Sequence, residues 1–296
     1  MIALVTGAAG QLGRDLVPEL RRRGHEVLAC DLSGAPVSLD IVDREAVREL
    51  VQKSRPDAVL HCAAWTQVDA AEQPENRARV FAVNEAGTRN LADACRETGA
   101  KMLYLSTDYV FSGRGEEPWT PEETVFSPLN VYGESKLAGE RALRERLTRF
   151  FIVRTAWVFG PQGKNFPDTM LRLSSSREAL RVVSDQIGTP TYTPDLSRLL
   201  ADMIETERFG VYHATNEGGY VSWADYAREI FRQAGKKTRV IPVTTEEYGE
   251  SLARRPKNSR LSKEKLRAAG FSPLPPWRDA LTRYLTGRRA SEPPPL

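Results

Sequence analysis

Residues Ile2–Thr6 read IALVT and run without a break into Gly7-Ala8-Ala9-Gly10-Gln11-Leu12-Gly13. A short apolar run followed at once by glycines at three-residue spacing reads as a strand, a tight turn and the opening of a helix. Leu12, Leu16 and Leu20 then recur every four residues and mark the buried stripe of that helix, with Pro18 expected to kink it. Further apolar runs follow at 26–30 (EVLAC), 57–63 (DAVLHCA), 101–106 (KMLYLS) and Phe150–Thr155 (FFIVRT). Such nearly continuous runs suit strands buried on both faces of a parallel sheet. Between them lie amphipathic stretches, such as Ala46, Val47, Leu50 and Val51 behind an Asp43 N-cap. Repeated strand–helix alternation with short connections predicts right-handed crossovers and an α/β, Rossmann-like, doubly wound parallel sheet.

The opening glycine loop gains meaning from its context. A dinucleotide pyrophosphate sits at a helix N-terminus and needs close backbone approach, which the loop Gly7, Gly10, Gln11, Leu12 and Gly13 would allow. The second run ends at Asp31, placed to accept a hydrogen bond from the adenosine ribose. A carboxylate there repels a 2′-phosphate and favours NADH, whereas the nearby Arg14 would admit NADPH; the cofactor is therefore NADPH or NADH. Asp40 and Ile41 follow a third turn, where they would lie beside the adenine, although Asp40 equally suits a helix cap. Ala63 and Ala64, with Trp65, end another strand where small residues let a cofactor lie close.

Tyr132-Gly-Glu-Ser-Lys136 places a phenol and an ammonium one helical turn apart. A phenol is a poor proton donor near neutrality unless a cation lowers its pKa, a part Lys136 would play together with the positive nicotinamide of the oxidised complex. Thr107, at the end of the run 101–106, stands where a doubly wound sheet presents its ligands and would orient a substrate carbonyl. Asn84 on the preceding helix would either hold a relay water or satisfy backbone.

Beyond residue 160 the pattern turns irregular, with short strands expected at 181–184, 210–214 and 239–243 and helices at 194–205, 222–233 and 276–285. The organisation expected is a dinucleotide-binding domain over 1–160, to which the chain returns near 190–215, a smaller C-terminal α/β substrate lobe over 161–290, and a flexible tail over 291–296. The chain has 296 residues, 41% apolar and 27% charged, which fits a soluble globular protein and neither a disordered nor a membrane one. Cys30, Cys62 and Cys95 form no paired or metal-ligand spacing, so buried thiols in a reducing, cytoplasmic compartment are expected, with no zinc site. The start MIALVTGAAG has no cationic n-region and only a five-residue apolar run, and no stretch approaches eighteen apolar residues, so neither export nor membrane spanning is expected. The net charge of +3 hides a split: residues 236–289 carry +9 and the remainder −6. Aromatic residues in the basic part are not interleaved as stacking platforms would be, so it does not read as a nucleic-acid surface. It reads as solvated surface from which Arg255 reaches an anionic substrate.

The glycine loop, the strand-end hydroxyl and the Y-x-x-x-K pair together resemble the extended short-chain dehydrogenase/reductase family. The later motifs AAWTQVDAAE (63–72), STDYVFSG (106–113), RTAW (154–157), GKNF (163–166), VVSDQIGTPT (182–191), SWADY (222–226) and RPKNS (255–259) are similar to the branch of that family that makes dTDP-L-rhamnose. The resemblance implies NAD(P)H-dependent reduction of the C4 carbonyl of dTDP-4-dehydro-β-L-rhamnose. Tyr132 would then give its proton to the C4 oxygen, Thr107 would bond that oxygen, and Lys136 would hold the nicotinamide ribose. Trp157 would stack or hydrogen-bond at the sugar, Val68, Thr107 and Asp108 would line the substrate side, and Gln186 would help position the nucleotide-sugar. Dehydratases of this fold follow the strand-end Thr with an Asp-Glu pair; here Asp108 is followed by Tyr109, which removes the base for elimination and leaves reduction. Other nucleotide-sugar reductases or epimerases of the same fold, and non-catalytic regulatory subunits, are the alternatives. Some relatives hold Mg²⁺ between two subunits on glutamates; the shorter Asp15 and Asp195 at the corresponding places predict no metal, while a homodimer stays compatible with the resemblance.

Overall fold

A computed structural model describes residues 1–249 and 251–291. The strands β1 (Ile2–Thr6), β2 (Glu26–Asp31), β3 (Val37–Ser38), β4 (Ala58–His61), β5 (Lys101–Thr107) and β6 (Phe150–Thr155) form one parallel sheet with the later strand Gly210–His213. Its order is Gly210–His213, β6, β5, β4, β1, β2, β3. The chain thus winds one way from β1 to β3, then crosses back to β4 and winds the other way. The crevice at the C-terminal ends of β1 and β4 is the switch point where such sheets bind ligands.

Side-chain alternation explains the two cores. Ala3 and Val5 face a cluster with Leu16 and Leu20 of α1 (Gly13–Arg22) and with Leu196 and Leu200 of the helix Thr193–Ile204. Leu4 faces the opposite cluster, with Val47 of α2 (Arg44–Ser54), Leu91 of a later helix and Leu143. Each strand is therefore apolar on both sides, as its sequence requires. Pro18 lies within α1 on its exposed side, together with Arg14, so the carbonyl that loses its partner to the ring is not in the core. The short α3 (Val68–Ala71) and α4 (Pro74–Phe81) lead through one wide π turn, Ala82–Gly87, into α5 (Thr88–Thr98); α6 (Val131–Arg144) follows β5.

After β6 the chain builds short paired strands around an aromatic core of Phe159, Tyr192, Tyr226, Trp277 and Tyr284. The expected strand at Arg239–Val243 appears with its expected ends, and the others appear with ends shifted by one or two residues, at Ala179–Val183, Gly210–His213, Thr193–Ile204 and Trp223–Ala234. Leu266, Phe271 and Leu274 pack into the sheet core beside α1, so the chain touches the sheet a second time in its last third. The final helix runs Trp277–Ser291, past the expected end at 285, because nothing interrupts it before the prolines that begin at Pro293. Ser291 thus belongs to a helix and not to a tail; the rest of the expected tail, 292–296, lies outside the described residues. Among the described residues no helix is long and apolar enough to cross a membrane.

Candidate active site

The turn after β1 is shaped by contacts that exclude a Cβ. Gly7 has φ +70°, and a Cβ on it would stand 2.5 Å from the Ala63 backbone nitrogen. A Cβ on Gly13 would stand 2.2 Å from the Gly7 carbonyl oxygen, so α1 can lie this close to the turn only with glycine there. Asp31 closes the cradle from the neighbouring strand: one carboxylate oxygen accepts from Ala9 N (3.0 Å) and the other from Leu32 N (2.8 Å). Arg14 donates to the Ala9 carbonyl (2.8 Å), so acid and base clasp the same residue of the loop. The Gln11 amide nitrogen is buried without a protein partner.

From this cradle a cleft of about 570 Å³ runs along the strand ends. Its walls include Gly7, Gly10, Gln11, Leu12, Gly13, Asp31, Asp40, Ile41, Ala63 and Ala64, then Thr107, Asp108, Tyr132, Lys136 and Trp157. Glycine-shaped space, an orphaned amide donor and a carboxylate at the second strand end fit a dinucleotide cofactor.

The far end of the cleft carries the reactive groups. Asn130 caps α6 by accepting from Gly133 N (2.8 Å), and Glu72 accepts from Val131 N (2.7 Å), which fixes the first turn that bears Tyr132. Lys136 follows one turn later, 2% exposed, with its ammonium 4.1 Å from the centre of the Tyr104 ring. Burial lowers the pKa of this ammonium to about 7, against the opposing pull of Glu140 and Cys62. The Tyr132 phenol moves the other way: desolvation raises it well above its ordinary value, opposed by its hydrogen bond with Thr107. Lys136 alone does not lower the phenol: burial sets the direction of its shift, and the ammonium lies over the Tyr104 ring. A phenol that keeps its proton is suited to donate it to a developing alkoxide.

Thr107 ends β5, and its hydroxyl also bonds Asp108 Oδ1 (3.1 Å) and accepts from Tyr109 N (3.2 Å). Asp108 is buried, and desolvation pushes its pKa up to about 6 against hydrogen bonds with the Ser259 and Thr107 hydroxyls. Trp157, with φ +50°, stacks on Trp223 at 3.6 Å between ring centres, and both indoles line the cleft.

Comparison with known proteins agrees with this geometry. The sequence model of a family described as the RmlD substrate binding domain matches residues 1–289. The dTDP-4-dehydrorhamnose reductase of Streptomyces griseus is 46% identical over 285 residues, covering 94% of this chain and 91% of the relative. The chain belongs to the dTDP-4-dehydrorhamnose reductase family. Among solved structures, the family member from Bacillus anthracis in complex with NADP has a TM-score of 0.90 at 41% identity, covering 97% of this chain and 99% of the other. A Streptomyces niveus relative, 42% identical over 292 residues and 98% of each chain, is a dTDP-4-keto-6-deoxy-D-glucose reductase.

In this member of the reductase family four expected site residues do not line the cleft. Trp65 is turned away, its indole donating to the Gln67 carbonyl (3.1 Å) while its backbone N–H donates to Asn84 Oδ1 (2.8 Å). Val68 begins α3 outside the cleft wall. Gln186 is buried and donates to the Thr245 hydroxyl (3.2 Å), holding two segments of the C-terminal part together. Arg255 is engaged by Asp69, donating to its two carboxylate oxygens at 2.6 and 3.2 Å, so its charge is answered within the protein. Asn84 is a clamp: its amide donates to the Trp65 carbonyl (3.2 Å) and the Ser135 hydroxyl (2.8 Å), tying the end of β4 to α6. Sequence reasoning missed Trp223 and Tyr109, which line the cleft. Both stand in motifs that were recognisable, but only the fold brings Trp223 onto Trp157. Among the described residues no cluster of His, Cys, Asp and Glu is arranged to hold a metal ion.

Proposed function

We propose that the chain reduces the C4 carbonyl of dTDP-4-dehydro-β-L-rhamnose with NADH or NADPH to give dTDP-L-rhamnose. The observation that carries this reading is the convergence of Thr107, Tyr132 and Lys136 at one end of a cleft whose other end is the glycine cradle. Gly7, Gly10 and Gly13 would admit the cofactor's pyrophosphate, Asp31 would hold its adenosine ribose, and Lys136 would hold its nicotinamide ribose. When bound, the reduced nicotinamide supplies a hydride to the carbonyl carbon. Tyr132 donates its phenolic proton to the C4 oxygen as negative charge develops there, and Thr107 bonds the same oxygen and fixes the phenol. Trp157 and Trp223 form an apolar wall for the sugar, and Asp108 presents a buried carboxyl to its hydroxyls. Three unpaired cysteines, with thiols pushed up by burial, suit the reducing cytoplasm.

The Streptomyces niveus relative points to a second substrate, dTDP-4-keto-6-deoxy-D-glucose, which lacks only the preceding epimerisation. The test follows NADH and NADPH oxidation with dTDP-glucose pretreated by a 4,6-dehydratase, with and without the 3,5-epimerase, and identifies the sugar formed. Oxidation that requires the epimerase and yields dTDP-L-rhamnose is expected. Equal oxidation without it would favour the second substrate, and no oxidation in either case would refute the reading.

A further inference from the structure

Two heavily buried charges lie outside the cleft wall. Glu140 of α6 and Arg154 of β6 are 1% and 0% exposed and form a two-point pair, with Arg154 Nε and Nη2 donating to the two carboxylate oxygens at 2.8 and 2.7 Å. The Ser106 hydroxyl of β5 donates to the same carboxylate at 2.7 Å. The Arg154 guanidinium lies near the rings of Phe111 and Phe126, at 5.0 and 4.9 Å, and its remaining nitrogen faces His213. Nothing in the proposed chemistry uses these groups directly. A buried ion pair of this kind is seldom a net gain over apolar side chains of the same size, so its value lies in what it holds in place.

What it holds is the catalytic register. Tyr132, Lys136 and Glu140 succeed one another at four-residue steps along one face of α6. Ser106 precedes Thr107 on β5, and Ser106 and Thr107 stand opposite Arg154 and Thr155 of β6. We propose that Glu140 is a positioning residue for the reduction: joined to Arg154 and Ser106, it fixes the helix that carries Tyr132 and Lys136 against the strand that carries Thr107. This rests on the proposed roles of Tyr132, Lys136 and Thr107 in the reduction. Glu140 also faces Lys136 with a negative charge. The other titratable or charged groups around that ammonium are His61 and Cys62 at the end of β4, Tyr104 on β5, Tyr132 on α6 and, behind Glu140, Arg154 on β6. His61 is buried and neutral near neutrality, with its pKa lowered to about 3, so the carboxylate of Glu140 is the charge that favours the protonated form of Lys136 against its burial.

The experiment compares parent and Glu140→Gln enzyme with NADPH and the dTDP-4-dehydro sugar across pH, with thermal unfolding measured alongside. Glutamine still accepts from Ser106 but lacks the charge and one acceptor. A fall in kcat of about tenfold to a hundredfold is expected, the range that a misplacement of about 1 Å produces, with both KM values within about threefold. The alkaline limb of kcat/KM is expected to move to lower pH, because Lys136 loses its proton more readily without the carboxylate. Should Glu140→Gln not fold, the double variant Glu140→Leu/Arg154→Met removes both charges with apolar side chains; it is expected to fold and to show the same fall in kcat. A folded variant with parental kcat and an unmoved limb would overturn the proposal, as would a loss of activity that only follows the loss of folded protein. Tyr132→Phe run in parallel separates the two failures. If it is inactive while Glu140→Gln is normal, only this inference falls; if it is active, the assignment of Tyr132 falls first.

Discussion

Replacing Gly13 by alanine tests the cradle without touching any group that does chemistry. The added Cβ would meet the Gly7 carbonyl oxygen at 2.2 Å and the Ala8 Cα and carbonyl carbon at 2.6 and 2.7 Å. All three are backbone atoms, so no side chain can turn aside. To reach ordinary contact the helix α1 must draw back from the turn by about 1 Å. Its Leu16 and Leu20, both fully buried, sit in the sheet core and resist that movement. Overpacking of this kind costs about 1–3 kcal/mol. In a chain of this size that lowers Tm by roughly 2–5 °C. The same retreat carries the helix N-terminus away from the phosphates, so NADPH affinity is expected to fall at least about tenfold. Gly10→Ala is the control, since its Cβ meets one atom, the Gly7 oxygen, at 3.1 Å. Urea unfolding and fluorescence titration with NADPH read both quantities. A Gly13→Ala protein with parental stability and affinity, or one less perturbed than Gly10→Ala, would refute the close approach of helix and turn.

Asp31→Asn keeps an acceptor for Ala9 N but removes the charge, so the ratio of kcat/KM for NADPH over NADH is expected to rise by about tenfold, measured by paired steady-state assays. Arg255→Ala breaks a half-exposed ion pair and removes no cleft wall; a stability loss under about 1 kcal/mol and a sugar KM within about threefold of parent are expected from unfolding and kinetics. Lys136 carries its pKa down to about 7 in the folded chain against an ordinary 10.5, so between those values the unfolded chain binds more protons and stability from this group rises with pH. Lys136→Met should therefore be more stable than the parent at pH 6, with the gap narrowing towards pH 10 in urea melts, while its kcat collapses.

The parts of the site legible in the sequence are those set by short spacings. Gly7 to Gly13 is one turn, and Tyr132 and Lys136 are one helical turn apart, so local geometry brings them together wherever the helix lies. The strands were equally plain, because burial on both faces leaves apolar runs such as Ile2–Thr6 and Phe150–Thr155. Trp223 could not be read as a wall residue, because its stacking on Trp157 is made by packing between distant segments. Arg255 looked like a ligand for an anion because its positive charge was visible and Asp69, its partner far along the chain, was not. The Glu140–Arg154 pair shows the same limit: both residues sit in recognisable stretches, yet only the closeness of α6 to β6 makes one the counter-charge of the other.

The measurement that bears most directly on the proposed reduction is the kcat of Tyr132→Phe with NADPH and dTDP-4-dehydro-L-rhamnose. Phenylalanine keeps the ring that meets Tyr109 edge-on at 5.7 Å, so folding and cofactor binding should persist while the proton donor is lost. A fall in kcat of about 10²–10⁴-fold, with the sugar KM little changed, is expected. A kcat within about twofold of the parent would contradict Tyr132 as the acid and, with it, the proposed route of proton transfer to the C4 oxygen.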